Sequence, residues 1–205
     1  MPVISDTLDK LGARHQAMHQ RLRPMDPNNC TFAGRARTLQ WLYTEEVRDE
    51  DPYGVEIDAM DSLRPGDVVV HSTDARLSNA PWGELMTTAA LKRGAVACVC
   101  DSMVRDCRSI QRMNFPVFHV GVRPVDSNGR AVVKAFDVPI TCGGVKVCQG
   151  DLIVADFDGI VVVPDHLEEA VLPLAAERIA RERAARRDLE AGLSLREVFR
   201  KYQVL

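Results

Sequence analysis

Compact apolar runs alternate with helical stretches through the first part of the chain, and a long amphipathic pattern closes it. Residues 67–71 (DVVVH), 95–100 (AVACVC) and 116–120 (PVFHV) are short and apolar, the pattern of strands buried on both faces. Between the first two lies 83–93 (GELMTTAALKR), which reads as a helix. Glu84 sits in its first turn, where a carboxylate suits the positive end of the dipole, and Lys92 and Arg93 sit in its last turn before Gly94. Residues 107–112 predict a further short helix with Asp106 at its N-cap. Strands alternating with helices predict β-α-β crossovers and parallel pairing, with strand C-termini and helix N-termini gathered on one edge, where ligands usually bind.

Elsewhere the pattern changes. Residues 1–20 read as helical, and 31–42 as a strand region in which Gly34 permits a bulge or a close approach. The acidic stretch 44–58 (TEEVRDEDPYGVEID) reads as a loop, with a lid over the site as its functional version, and 57–63 as a short helix. Asp126-Ser127-Asn128-Gly129 carries a hairpin-turn signature, as does Asp158-Gly159, and the intervening segments 131–138, 143–147 and 151–156 read as short, mostly antiparallel strands. Residues 166–189 form an amphipathic helix with Leu167, Val171, Leu174 and Ile179 expected inward and its arginines outward. Gly192 ends it, and Ser194 opens a last helix to about Tyr202. The expectation is a single α/β domain over residues 1–205, with a C-terminal helical extension from about 166 to 205.

Composition narrows the classes. Apolar content of 46% and charged content of 27% are ordinary for a globular chain, and a net charge of −3 points to neither nucleic acid nor membrane as an electrostatic partner. No apolar run approaches the ~20 residues of a membrane span, and no leader-type segment opens the sequence. Six cysteines occur without a C-x-x-C pair, which suits reduced thiols in a cytoplasmic protein. Cys98 and Cys100 alternate in an apolar strand and read as small core residues. Cys107 adjoins the ionisable cluster without a paired histidine. His15 and His19 stand at i, i+4 without the glutamate of an H-E-x-x-H frame and read as solvated.

The candidate chemistry lies in 83–106. Glu84, Asp101, Arg105 and Asp106 all fall on the expected ligand edge. Arg105 and the amides at the start of the Glu84 helix, at Leu85 and Met86, suit an anionic substrate. Asp106, Glu84 and Asp101 suit a hard divalent cation that keeps several waters. Such a set can polarise a carbonyl and stabilise an enolate. Plainer readings stand beside this: an N-cap role for Asp106, a dipole role for Glu84 and a solvated surface for Arg105. Arg76 and Asn79, in the connection before the helix, are candidates for a supporting role.

The run NAPWGELMTTAALKRGAVACVCDSMVRD, followed by NFPVF and GGVKVCQGDLIVADFDGIVVVP, resembles the RraA-like family over most of the chain. Its aldolase branch, the class II 4-hydroxy-4-methyl-2-oxoglutarate/4-carboxy-4-hydroxy-2-oxoadipate aldolases, shows an acidic residue, twenty intervening residues and then Arg-Asp. Glu84 and Arg105-Asp106 have that spacing here. The ribonuclease regulators of the same family lack the acid. Ser102 stands where the family pattern has glycine.

The resemblance implies a β-sandwich-like core wrapped by helices and related to swivelling β/β/α domains. It does not imply phosphohistidine chemistry, because His71, His119 and His166 have no Gly-rich exposed turn. It implies retro-aldol cleavage of a 4-hydroxy-2-oxo acid to pyruvate and a second 2-oxo acid, with oxaloacetate decarboxylation as a side activity. The implied cofactor is Mg²⁺ or Mn²⁺ on Asp106, with Glu84 acting through water. Arg105, Gly83, Leu85 and Met86 are implied to seat the substrate, and Asp101 to assist catalysis. The implied assembly is a homotrimer or a dimer of trimers, in which Glu182 of a neighbouring subunit reaches the metal through water. The alternative is a non-catalytic regulator that binds and inhibits an endoribonuclease.

Overall fold

The computed structural model describes residues 1–73 and 79–204. Arg76 lies outside the described residues. The chain forms two compact units, Met1 with His15–Asp165, and Pro2–Arg14 with His166–Leu205.

The larger unit is built on a mixed eight-stranded sheet. Its strands are β1 (Arg23–Pro24), β2 (Phe32–Tyr43), β3 (Asp67–Ser72), β4 (Ala97–Val104), β5 (Val117–Val122), β6 (Ala131–Phe136), β9 (Leu152–Asp156) and β10 (Gly159–Val163). A separate hairpin pairs β7 (Ile140–Cys142) with β8 (Val145–Val147). The strand order is β1-β5-β4-β3-β2-β9-β10, with β6 also on β2. The run β2, β3, β4, β5 is parallel, as the alternation predicts, and helices α2 (Gly54–Asp61), α3 (Glu84–Arg93) and α4 (Cys107–Arg112) lie in the three crossovers. The first half of β2 pairs with β9 and the second half, past a bulge at Gln40/Trp41, with β6. Gly34 permits the expected close approach: a Cβ there would lie 2.4 Å from the Gly66 carbonyl oxygen.

Two-sided burial explains the valine runs. Val68 and Val70 enter a core shared with the β7–β8 hairpin, β9 and β10. Val69, Cys98 and Cys100 enter a second core under α2 (Gly54–Asp61), α3 and α4. Each fully buried valine contributes roughly 1.5–3 kcal/mol. His71 is fully buried; its Nδ1 accepts from Trp41 Nε1 at 2.8 Å, and burial pulls its pKa down to about 3. It is a neutral core residue, which removes any phosphohistidine role.

Several expectations shift. Strand β4 runs on to Val104 rather than stopping at Cys100, past an irregularity between Cys100 and Met103. The Asp126–Gly129 turn joins strands that do not pair with each other: β5 lies against β1 and β4, β6 against β2. Only Pro2–Lys10 of the first twenty residues is helical, so His15 and His19 share no helix face.

The smaller unit holds α1 (Pro2–Lys10), α5 (Asp165–Glu190) and α6 (Leu195–Tyr202). Ser194 caps α6 in a full capping box with Glu197. In α5, Val171 is buried as expected, but Leu174 and Ile179 are exposed and Arg178 is buried. The buried face is set by Val171, Ala175, Arg178 and Ala185, and Arg178 can lie on it because it pairs with Asp6 at 2.6 Å and Glu182 at 3.0 Å.

Candidate active site

The site begins with backbone. Trp82 is fully buried; it bridges Val104 in parallel, and its carbonyl accepts the Arg105 amide at 2.9 Å. This lays Gly83 against the end of β4. A Cβ on Gly83 would stand 2.7 Å from Asp106 Oδ2, 3.1 Å from Arg105 Cγ and 3.2 Å from Arg105 Nε. Glycine is therefore required by close approach and not by backbone angle, since its φ of −151° is extended.

Asp106 adopts a left-handed conformation, φ 57°, at the start of α4 and makes no side-chain cap there. Its Oδ2 instead accepts the Glu84 amide, the first of α3, at 3.1 Å. Asp106 thus holds the expected N-cap position of α4, but its side chain serves the start of α3 and not its own helix. The amides of Leu85 and Met86 keep no partner among the described residues, as first-turn donors of a helix do unless a cap, water or ligand takes them.

These groups line one cavity of about 330 Å³. Gly83, Glu84, Leu85 and Met86 come from the start of α3, and Arg105 and Asp106 from the β4–α4 turn. Helix α2 adds Tyr53, Glu56 and Ile57, and the turn after β5 adds Asp126 and Ser127. Arg105 Nη1 pairs with Asp126 Oδ1 at 3.1 Å, and the Tyr53 hydroxyl donates to Asp126 Oδ2 at 2.5 Å. Burial pushes the Asp126 carboxyl up, but the Tyr53 hydroxyl, the Asn128 and Ser127 amides and Arg105 outweigh it and hold it below the ordinary carboxylate range. The same hydrogen bond to Asp126 pushes the Tyr53 pKa up to about 12. Glu56 is only 4% exposed, has no hydrogen-bond partner among the described residues, and is pushed up to about 8 by burial and then by the Asp126 charge, against the pull of Arg105.

The structure thus brings Gly83, Glu84, Leu85, Met86, Arg105 and Asp106 together. It sets Asp101 apart. Because β4 continues to Val104, Asp101 is not at a strand end; it pairs with Arg21 at 2.6 Å and accepts the Gly143 amide at 2.9 Å. Glu182 is engaged by Arg178 within its own helix. Asn79 is fully buried and donates to the Ser127 hydroxyl at 2.7 Å, a supporting contact behind the cavity wall. Ser102 is buried and donates to the Asn79 carbonyl at 3.2 Å. Burial pushes the half-buried Cys107 thiol up, away from reactive thiolate.

Three ionisable cavity residues, Tyr53, Glu56 and Asp126, were not singled out from the sequence. Tyr53 and Glu56 lay in a stretch read as a loop, with a lid over the site as its functional version, and Asp126 in a stretch read as a hairpin turn. The only signal for them was the placement of aromatic and acidic residues near turn formers.

The RraA-like family model, described as Aldolase/RraA, matches residues 1–162. A relative from Halalkalibacterium halodurans, provisionally named 4-hydroxy-4-methyl-2-oxoglutarate aldolase, is 34% identical over 90% of this chain and 81% of its own. An uncharacterised protein from Pseudomonas syringae pv. tomato str. DC3000 has a solved structure that is similar at TM-score 0.85 and 28% identity, over 98% of this chain and 89% of that one. RraAS2 from Streptomyces coelicolor, described as an unusual member of the RNase ES inhibitor RraA protein family, is similar at TM-score 0.80 and 27% identity, over 90% of each chain. The fold, the family match and the relatives agree: this chain belongs to the RraA-like family.

Proposed function

We propose that the cavity binds a 4-hydroxy-2-oxo acid and cleaves it by a metal-dependent retro-aldol reaction to pyruvate and a second 2-oxo acid. The observation that carries this is the Asp106 carboxylate, turned from its own helix toward the start of α3, beside Arg105 and the two unpartnered amides. The names of the relatives support the same reaction class.

The donor set fits a hard cation that keeps most of its waters. Asp106 Oδ2 has one protein donor, its other oxygen has no partner among the described residues, and Glu84 lines the same cavity. No group of three or more His, Cys, Asp or Glu able to hold a metal occurs among the described residues, so a site for a softer, fully protein-held metal does not fit. Asp106 would hold Mg²⁺ or Mn²⁺ directly and Glu84 through water. When bound, the cation supplies electron withdrawal at the C1 carboxylate and C2 carbonyl.

The side chains do the rest. Arg105, with donors beyond the one given to Asp126, binds the C1 carboxylate together with the Leu85 and Met86 amides. Glu84 positions the water that takes the 4-hydroxyl proton. The C3–C4 bond then breaks, its electron pair passing into the enolate of pyruvate. Oxaloacetate reaches the same enolate by loss of CO₂, so its decarboxylation is the side activity. The proposed assembly is a homotrimer or dimer of trimers, with Glu182 shared between Arg178 and a neighbour's site.

The test is pyruvate release from a panel of 4-hydroxy-2-oxo acids with Mg²⁺, with and without chelator. Release that stops on chelation supports the reaction; no release from any substrate, or release indifferent to chelator, refutes it. The likeness to RraAS2 favours a second reading, a protein inhibitor of an endoribonuclease. Inhibition of an RNase E-type enzyme by this chain, together with inert aldolase assays, would select it.

A further inference from the structure

Glu56 is the cavity residue without an explanation. It is nearly fully buried on α2, lines the cavity, and has no donor to stabilise a carboxylate among the described residues. A buried carboxyl with no donor is costly to ionise. The groups around it sharpen this. In the cavity stand Asp126, Glu84 and Asp106, all acidic, with Arg105 as the cation and Tyr53 turned to Asp126. Helix α2 packs on β6 and α3. On β6 the charged residue is Lys134, which is exposed; on α3, besides Glu84, they are Lys92 and Arg93 in the last turn, and Arg93 is paired with Asp61. No hydrogen bond joins Glu56 to Glu84 or Asp106. Glu56 thus borders the cavity as an acid that burial and the Asp126 charge push toward its neutral form.

The carboxylate-binding groups all come from α3 and the β4–α4 turn, whereas Glu56 comes from α2. Both sets line the same cavity, so a substrate held at C1 and C2 by the former would occupy the space that Glu56 borders. Resting on the aldolase reading above, we propose that Glu56 is the catalytic acid that protonates C3 of the pyruvate enolate. When the C3–C4 bond breaks, the 4-hydroxyl proton goes to the water positioned by Glu84 and the bond's electron pair becomes the enolate. The Glu56 carboxyl proton then passes to C3, forming the methyl group and leaving a carboxylate, which regains a proton from that water. Atoms and charge balance over the cycle.

The experiment follows exchange of pyruvate C3 hydrogens with D₂O by NMR in the Mg²⁺-loaded protein, wild type against Glu56→Gln. The expected result is exchange at least about 100-fold slower in Glu56→Gln. The KM for pyruvate should move less than about threefold, which a merely structural role would not produce. The metal-free variant should melt no lower than wild type, because an unpartnered buried acid has been replaced by an amide. Equal exchange in wild type and variant overturns the assignment while leaving the aldolase reading intact. A variant that fails to fold assigns Glu56 a structural role and overturns it as well. Wild type that neither exchanges nor releases pyruvate sinks the aldolase reading itself.

Discussion

Replacing Gly83 by alanine isolates the geometry of the site from its chemistry. The extended backbone at Gly83 accepts any residue, so the only perturbation is the added methyl group. That methyl would stand 2.7 Å from Asp106 Oδ2 and 3.1–3.2 Å from two Arg105 side-chain atoms. An ordinary contact needs ~3.5 Å or more, so the carboxylate must retreat by close to 1 Å. Displacement of that size at a reacting centre costs about 100-fold in rate. The structural cost is small: about 1 kcal/mol for the weakened Glu84 amide hydrogen bond and up to about 1 kcal/mol for a poorer N-cap residue. For a chain of this size the melting temperature should fall only about 2–8 °C. Pyruvate release by Gly83→Ala should therefore drop roughly 100-fold while the protein stays folded, measured by a coupled rate assay and thermal denaturation. Full activity in Gly83→Ala would refute the claim that Asp106 and Arg105 work at their observed positions. Collapse of the fold would refute the estimate of a local effect.

Three further outcomes are expected. Tyr53→Phe removes the hydroxyl that holds Asp126, so Arg105 loses its fixed orientation: the KM for the 2-oxo acid should rise several-fold with kcat changed less, and steady-state kinetics checks the split. Asp101→Asn should lower thermal stability by a few kcal/mol with little change in KM, because its carboxylate bonds Arg21 and the Gly143 amide away from the cavity. Glu56 has its folded pKa raised to about 8 from the ordinary 4.5, so its contribution to stability is full below pH 4.5 and is lost as pH rises through 8. At about 1.4 kcal/mol per pH unit the loss has a ceiling of about 5 kcal/mol, and Glu56→Gln should gain on wild type by an amount that grows across that window in urea denaturation; a constant difference from pH 5 to 8 would contradict it.

Much of this was legible in the sequence because it rested on local rules. The valine runs, the charges at the two ends of α3, and Gly94 as a left-handed cap pointed to the β-α-β core, and the alternation of strand and helix put Glu84 and Arg105-Asp106 at one edge. What was hidden depended on long-range pairing. That β4 continues through Asp101 follows from β5 extending beside it, a register that residue pattern does not report. Asp126 looked like part of a hairpin because turn chemistry is local, whereas its role comes from Arg105, twenty-one positions earlier, and Tyr53, farther still. Arg178 looked solvated because its partner Asp6 lies at the other end of the chain.

The most direct measurement of the central claim is the Mg²⁺-dependent rate of pyruvate release by Asp106→Ala beside wild type, with both proteins verified as folded. Wild type should show chelator-sensitive turnover, and Asp106→Ala should lose at least about 1,000-fold. Turnover by Asp106→Ala within a few-fold of wild type would contradict it.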